Sequence, residues 1–331
     1  MKPQKPTTLD FEKKLDQLRA SIEKVQSNAT SQDQVSKIEE LKFELEAQTA
    51  EVYATLSPWQ RVQVARHPDR PHTQDYIDMC FSNFIELHGD RYYGDDQAIV
   101  GGPAKLGNHR VMVIGHQKGR DTQENVRRNF GMASPEGFRK ARRLMKLAEK
   151  FKLPLITFLD IPGASPVLEA EERGQAWAIA ENLMEMAGLK TPFITTVIGE
   201  GGSGGALALG MADRVLMQEY SVYSVASPEG AASIVWRDHK FAPRAAEALK
   251  LTPSDLLKLG VIDRIIAEPT GAAHRNYLDA ARLLKETLTE ELDSLRSRSV
   301  ENLIQSRNAK FRSIGTPTSN PSGLAEDSVV S

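Results

Sequence analysis

The sequence predicts an α/β domain preceded by a helical hairpin. Two observations carry that reading. From about residue 98, short apolar runs rich in β-formers alternate with glycine turns and amphipathic stretches. That rhythm belongs to a sheet with largely buried strands. Before it, the first fifty residues are charged, with apolar side chains at helical spacing.

The elements follow in order. Leu15, Leu18, Ile22 and Val25 keep a 3-4-3 spacing and predict a first helix. Ser27 to Ser31 break it, and Ser31 with Gln34 has the form of a capping box for a second helix carrying Val35, Ile38, Leu41 and Leu45. A two-helix arm buries little by itself, so it packs on its own domain or meets a partner chain. Residues 57–96 read as loop, full of rings and charges. The expected strands are Val111–Ile114, Leu155–Leu159, Phe193–Ile198, Val215–Met217, Val222–Val225 and Val261–Ile266. The expected helices between them span 136–151, 171–187, 203–212 and 243–250. Residues 272–312 read as further helix. The last nineteen residues are small and polar with two prolines, a composition expected to stay disordered.

Composition excludes several classes. The 331 residues carry 42 lysines plus arginines and 44 aspartates plus glutamates, a net charge of −2. A globally basic nucleic-acid binder is therefore not expected. The single cysteine, Cys80, forms no intrachain disulfide and no cysteine-based zinc site. The seven histidines include no H-x-x-x-H pair, so no metal centre is expected. No apolar leader and no run of membrane-spanning length is visible, and a cytoplasmic location is expected. Residues 118–146 hold nine basic and three acidic side chains. The Arg139–Lys146 part is expected to be a solvated helix face.

The segment Gly199-Glu200-Gly201-Gly202-Ser203-Gly204-Gly205 follows an apolar run and opens a helix. Glycines admit close backbone approach, and a helix start favours negative charge. An anion or oxyanion is the expected guest, and three readings stay open. Gly199, Gly201 and Gly204 match G-x-G-x-x-G, with Glu219 as the acid of a dinucleotide site. Gly201, Ser203 and Gly205 match G-x-S-x-G, with Ser203 as nucleophile and His239 or His274 as base. In the third, the N–H groups of Gly204 and Gly205 receive an oxyanion. Gly163 and Ala164 follow another buried strand, where active-site loops of α/β sheets lie. No G-x-x-x-x-G-K-[ST] phosphate loop is present.

Several long motifs occur together. They are SPWQRVQVARHPDRPHTQDYI, LHGDRYYGDDQAIVGG, GHQKGRDTQENVRRNFGMASPEGFRKARRLMKLAEKF, AEERGQAWAIAENLMEMAGL, VIGEGGSGGALALG, YSVYSVASPEGAASIVW and IIAEPTGAAHRN. In this order they closely resemble the alpha-subunit family of bacterial-type acetyl-CoA carboxylase carboxyltransferases, from roughly residue 40 to residue 290. The resemblance implies a crotonase (ClpP/crotonase-like) superhelix of ββα units. With the readings above, the chain is expected to divide into a helical extension over 1–50, a carboxyltransferase domain over 51–290, a C-terminal helical extension over 291–312 and a tail over 313–331. The resemblance implies transfer of a carboxyl group from carboxybiotin, held on a biotin carboxyl carrier protein, to acetyl-CoA, giving malonyl-CoA for fatty acid synthesis. The implied partners are the carboxyltransferase beta subunit, in an assembly of two alpha and two beta chains, and biotin carboxylase. The zinc ribbon would belong to the beta subunit.

Matched motif to motif, Gly204 and Gly205 would serve an oxyanion on the biotin side, flanked by the backbone of Gly163 and Ala164. Ser203 would be a small turn residue. Gly201, Gly202, Lys118, Arg120, Ser165 and Val167 would surround the substrate. One departure stands out. The family usually reads D-T-P-G-A-Y-P-G where this chain has Asp160-Ile161-Pro162-Gly163-Ala164-Ser165-Pro166-Val167. Valine in place of glycine would strain any backbone with positive φ, and loss of the tyrosine removes a stacking surface.

Overall fold

The computed structural model describes residues 9–27 and 32–315. The expected cap at Ser31 and the tail from residue 316 onward lie outside the described residues. The arm is a helical hairpin: α1 (Lys13–Ser27) packs on α2 (Gln32–Ala54). Its base is held by its own chain, because Leu15 and Tyr53 share an apolar cluster with Val64, Tyr220 and Ala272. Higher on the arm, Val35 and Phe43 are exposed. Two short helices follow, α3 (Pro58–Ala65) and α4 (Thr73–Cys80), within the segment expected to be loop. Ser57 and Gln60 close a capping box on the first of them, and Pro58 fits its opening turn.

A seven-stranded sheet forms the centre. Strand β1 (Ile99–Leu106) pairs antiparallel with β2 (His109–His116). Parallel pairing then continues through β3 (Leu155–Ile161), β4 (Phe193–Gly202), β5 (Arg214–Gln218) and β7 (Arg264–Ile266), while β6 (Val222–Ser224) pairs with the far end of β4. The strands are apolar on both sides because helices cover both faces. Alternate residues sort cleanly. Met112, Ile114, Leu155, Leu159, Phe193 and Val197 face one core, and Val111, Val113, Ile156, Phe158, Ile194 and Ile198 face the other.

The connecting helices are α5 (Thr122–Arg127), α6 (Pro135–Lys150), α7 (Leu168–Glu172), α8 (Gln175–Gly188), α9 (Ser203–Leu207), α10 (Pro228–Trp236), α11 (Ala242–Ala248) and α12 (Pro253–Lys258). The chain closes with α13 (Tyr277–Arg296) and α14 (Val300–Ser313). On the first core, α6 contributes Phe138, Ala141, Leu144, Met145 and Ala148, one stripe at helical spacing. On the second, α13 contributes Ala281, Leu284, Leu288, Leu292 and Leu295. No described helix is long and apolar enough to cross a membrane.

The structure departs from the sequence reading at five places. Strand β1 was not expected, because Gly101-Gly102-Pro103 reads as a turn. Gly102 is needed there, since a Cβ would stand 1.9 Å from the Ile85 carbonyl oxygen of the segment that hydrogen-bonds along the outer edge of β1. The helix expected over 171–187 is broken at Gly174, whose φ of +83° ends α7 and starts α8. The helix expected over 203–212 ends at Leu207, and the strand expected over Val261–Ile266 is only Arg264–Ile266. The Arg139–Lys146 face is not simply solvated. Lys140 is fully buried and donates to Asp95 Oδ1 (2.6 Å) and to the Asp96 carbonyl oxygen (2.7 Å).

The final helix is fixed by one buried cation. Arg307 forks onto both oxygens of Asp213 (2.8 and 2.9 Å) and donates to the Met186, Leu189 and Thr191 carbonyls. Arg307→Ala strands the Asp213 carboxylate in the interior, and removing one partner of a buried pair costs about 3–5 kcal/mol. Urea unfolding is expected to show a loss of that size, and a loss below about 1 kcal/mol contradicts the account.

Candidate functional site

The C-terminal ends of β3 and β4 deliver two loops to one place. At Gly202 a Cβ would lie 2.1 Å from the Pro162 carbonyl oxygen. At Gly205 it would lie 2.7 Å from Ala164 N and 2.8 Å from Ile161 Cδ1. The loops therefore touch backbone to backbone, and only hydrogen fits between them. Gly163 and Gly204 behave differently. Nothing stands within 4 Å of a Cβ at Gly163, and at Gly204 the nearest atom is Ile179 Cδ1 at 3.7 Å. These two glycines border open space. Gly204 also lines a largely apolar cavity of about 340 Å³ with Leu207, Tyr223, Val225 and Leu256. The first-turn amides of α9, including those of Gly204 and Gly205, have no intrahelical acceptor.

The Pro162–Val167 loop is latched from below. Ser165 N donates to the Ala133 carbonyl (3.0 Å), and Gln175 Nε2 donates to the carbonyls of Ala133 (2.8 Å) and Ser165 (3.1 Å). Asn129 Nδ2 donates to Ser165 Oγ (3.1 Å). Ser165 is thus a buried latch, and Ile161 is buried against Gly205. The strain anticipated at Val167 is absent: its φ is −76° and ψ 152°, ordinary extended backbone before α7.

Behind the glycine loop lies a buried charge network that the sequence did not disclose. Asp160 Oδ1 accepts from Lys118 Nζ (2.6 Å) and from Glu200 N (3.1 Å), and it fills the space that a side chain at Gly199 would need. Glu200 in turn receives Arg66 Nη2 (2.6 Å), and Arg66 reaches Glu229 at the start of α10 (2.6 Å). Burial alone would raise the Asp160 pKa, but Lys118 and the neighbouring donors carry it below the usual carboxylate range. Lys118 is therefore committed to Asp160. Arg120 is engaged by Asp75 and by the Pro68 and Arg70 carbonyls. The structure groups Gly163, Ala164, Gly201, Gly202, Gly204 and Gly205 tightly, with Ser165 as support. It sets Lys118 and Arg120 behind them, and leaves Val167 exposed on the rim.

The other readings of the glycine segment fail on geometry. Asp160 occupies the Cβ position of Gly199, and the Tyr223 ring stands 2.8 Å from that of Gly201. These glycines admit protein groups and not a pyrophosphate. Glu219 accepts from the Glu268 amide (3.2 Å). Ser203 is exposed at φ +54°, but among the described residues no hydrogen bond joins it to a histidine. His239 is exposed elsewhere, and His274 stacks on His67 (centroids 4.1 Å apart) beside Glu12. Glu12, His67 and His274 bring ligand-type atoms within 4.8 Å of one another, an association no local spacing reveals. Tyr53 and Arg275 already donate to Glu12 (2.9 and 2.7 Å), and the parallel rings do not aim two lone pairs at a common point.

His72 and His116 are buried near Asp160, and burial pushes each pKa down to about 4. His274 shifts down for the same first reason. Between pH 6.5 and about 4.5 the unfolded chain takes up protons on these rings that the folded chain refuses. Stability therefore falls as pH falls through that window, by about 1.4 kcal/mol per pH unit for each ring fully involved. Urea midpoints are expected to drop from pH 7 to pH 5 and to drop less for His72→Asn. A profile flat over this range contradicts the burial of neutral rings.

Comparison with known proteins places this chain in a family. The model of the family described as acetyl co-enzyme A carboxylase carboxyltransferase-like matches residues 8–315. The chain is 54% identical over 311 residues to the acetyl-coenzyme A carboxylase carboxyl transferase subunit alpha of Halalkalibacterium halodurans, covering 93% of this chain and 96% of the relative. It is 54% identical over 312 residues to the subunit of the same name from Dichelobacter nodosus, covering 94% and 98%. Among solved structures, it resembles the transcarboxylase 12S core (TM-score 0.56, 19% identity, 69% of this chain and 42% of that one). It also resembles a chain of a Pseudomonas malonate decarboxylase hetero-tetramer in complex with coenzyme A (TM-score 0.54, 19% identity, 66% and 90%). The fold is the crotonase-like one expected, and the chain belongs to the acetyl-coenzyme A carboxylase carboxyltransferase alpha-subunit family of transferases.

Proposed function

We propose that this chain supplies the biotin-side half of a cytoplasmic acetyl-CoA carboxyltransferase. The single observation that carries the reading is the pair of loops at Gly163–Ala164 and Gly204–Gly205. Their backbones touch, the Gly204 and Gly205 amides belong to the first turn of a helix, and Gly163 and Gly204 border open space. A site of this kind stabilises negative charge with fixed N–H donors. Loss of one such donor typically costs about 10²–10³ in rate. The cavity beside Gly204, about 340 Å³ with apolar walls, has the size and lining of a small-molecule site. It suits a compact, largely apolar bicycle with one polar ureido oxygen, the form of the biotin head group.

Carboxybiotin, arriving on a carrier protein, would supply the activated carboxyl group. The residues of this chain then do three things. The Gly204 and Gly205 amides hold the ureido oxygen as its negative charge grows. The Gly163–Ala164 backbone walls the other side of the oxygen. Leu207, Tyr223 and Val225 exclude water from the apolar wall. No side-chain nucleophile is required, so Ser203 serves as the turn residue of a strained strand-to-helix junction. The carboxyl acceptor, acetyl-CoA, would be held mainly by a beta subunit. That partner would cover the apolar surface around the cavity, where Val225 and, on α10, Ile234 and Val235 lie exposed. We place the carboxyltransferase beta subunit there, in an assembly of two alpha and two beta chains working with biotin carboxylase and the biotin carboxyl carrier protein.

Gly204→Val tests the assignment. The position has room for a side chain, so the fold is expected to hold, with a melting temperature within a few degrees of the parent. The added methyls would block the approach to the amides, and turnover with a beta subunit is expected to fall at least about a hundredfold. Ser203→Ala is expected to keep turnover within a few-fold. Full activity in the valine variant, or loss in the alanine variant, sinks the assignment.

A further inference from the structure

The groove between α6 and the start of α8 plays no part in the reaction described above. It is a cavity of about 630 Å³, within the range of small-molecule sites. Most cations around it are neutralised: Arg139 by Asp90, Arg142 by Glu181 and Glu185, and Arg173 by Glu136. Arg91 and Arg143 are not. They grip only carbonyls: Arg91 Nη1 that of His88 (2.8 Å), and Arg143 Nε and Nη2 those of Gly89 and His88 (3.0 and 3.1 Å). Neither meets a carboxylate within 4 Å among the described residues. Burial and then the Arg91 charge lower the Arg143 pKa, and the more distant Asp95 and Asp90 carboxylates only partly offset them. Lys150, exposed at the end of α6, is a third cation on this wall, and its only described close neighbour is the Phe151 ring (5.6 Å).

The same groove carries unpartnered aromatic surface. Trp177 on α8 is 72% exposed, and Tyr92 is 87% exposed beneath the Arg139 guanidinium (5.3 Å). Water-facing rings beside uncompensated cations suit a ligand with a flat base and a phosphate end. The predominance of cations also ends. Beyond Trp177 the adjoining wall has mixed charge, with Glu149, Glu181 and Glu185 beside Arg142 and Lys190. A polyanion running past the tryptophan would meet these acids, so the ligand is compact.

We propose that this groove binds a nucleoside diphosphate, with its phosphates on Arg91, Arg143 and Lys150 and its base on Trp177. A free nucleotide and the adenosine-diphosphate end of coenzyme A share this chemistry. With the coenzyme A tail as occupant the site rests on the carboxyl-transfer reading, and with a free nucleotide it does not; the titration measures binding and not turnover, so the two fail separately.

Calorimetric titration of the full chain with ADP, coenzyme A and inorganic pyrophosphate tests it. One saturable ADP site is expected, with pyrophosphate at least about tenfold weaker because it has no base to stack. Lys150→Glu and Trp177→Ala are each expected to weaken ADP at least about tenfold, with unchanged melting temperature, since both side chains are exposed. Tighter binding of coenzyme A than ADP assigns the site to the cofactor tail, and equal or weaker binding assigns it to free nucleotides. Either supports the proposal. No saturable binding at millimolar ADP overturns it. So does pyrophosphate binding as tightly as ADP, ADP affinity unchanged in both variants, or a single-stranded oligonucleotide that outcompetes ADP at this groove.

Discussion

Two backbones lie in contact where β3 and β4 end, and that contact constrains the rest. A single methyl at Gly202 or Gly205 would overlap the Pro162–Ala164 segment. The approach fixes where α9 begins and so where its free amides point. The strands supply the rigidity. Parallel pairing of Leu155–Leu159 with Phe193–Val197 sets both loops on the same edge of the sheet, with a register shift just before they meet. Helices on both faces then hold that pair of strands in a packed core.

Charge completes what packing begins. Asp160 sits where Gly199 leaves room and ties the end of β2, through Lys118, to the amide of Glu200. Arg66 continues the line to Glu229 and α10. Buried ions this close are costly unless every partner is present. The network therefore acts as a positioning frame for the glycine loop, not as a reservoir of reactive groups. Lys118 is held by its carboxylate.

Much of the fold was legible because strand burial leaves long apolar runs, and the loop between Gly199 and Gly205 was legible because so many glycines in one place require a reason. What stayed hidden was hidden for physical reasons. Gly101-Gly102-Pro103 looks like a turn but serves as a strand in which close approach forbids side chains. Gly174 interrupts a stretch expected to be a single helix. Asp160 follows an expected strand, but its role depends on partners about forty residues away in the chain. Glu12, His67 and His274 meet only because the hairpin folds back on the domain. Which Cβ positions of the glycine segment are filled by protein and which face open space weighs against the dinucleotide and nucleophile readings, a distinction no spacing contains.

The central claim is that this chain holds half of a shared, backbone-built carboxyl-transfer site. The most direct test is malonyl-CoA-dependent carboxylation of biotin, followed with this chain alone and with a carboxyltransferase beta subunit added. The account predicts no reaction from the chain alone and steady turnover from the mixture. Turnover by the chain alone, or a stable complex that remains silent, would contradict it.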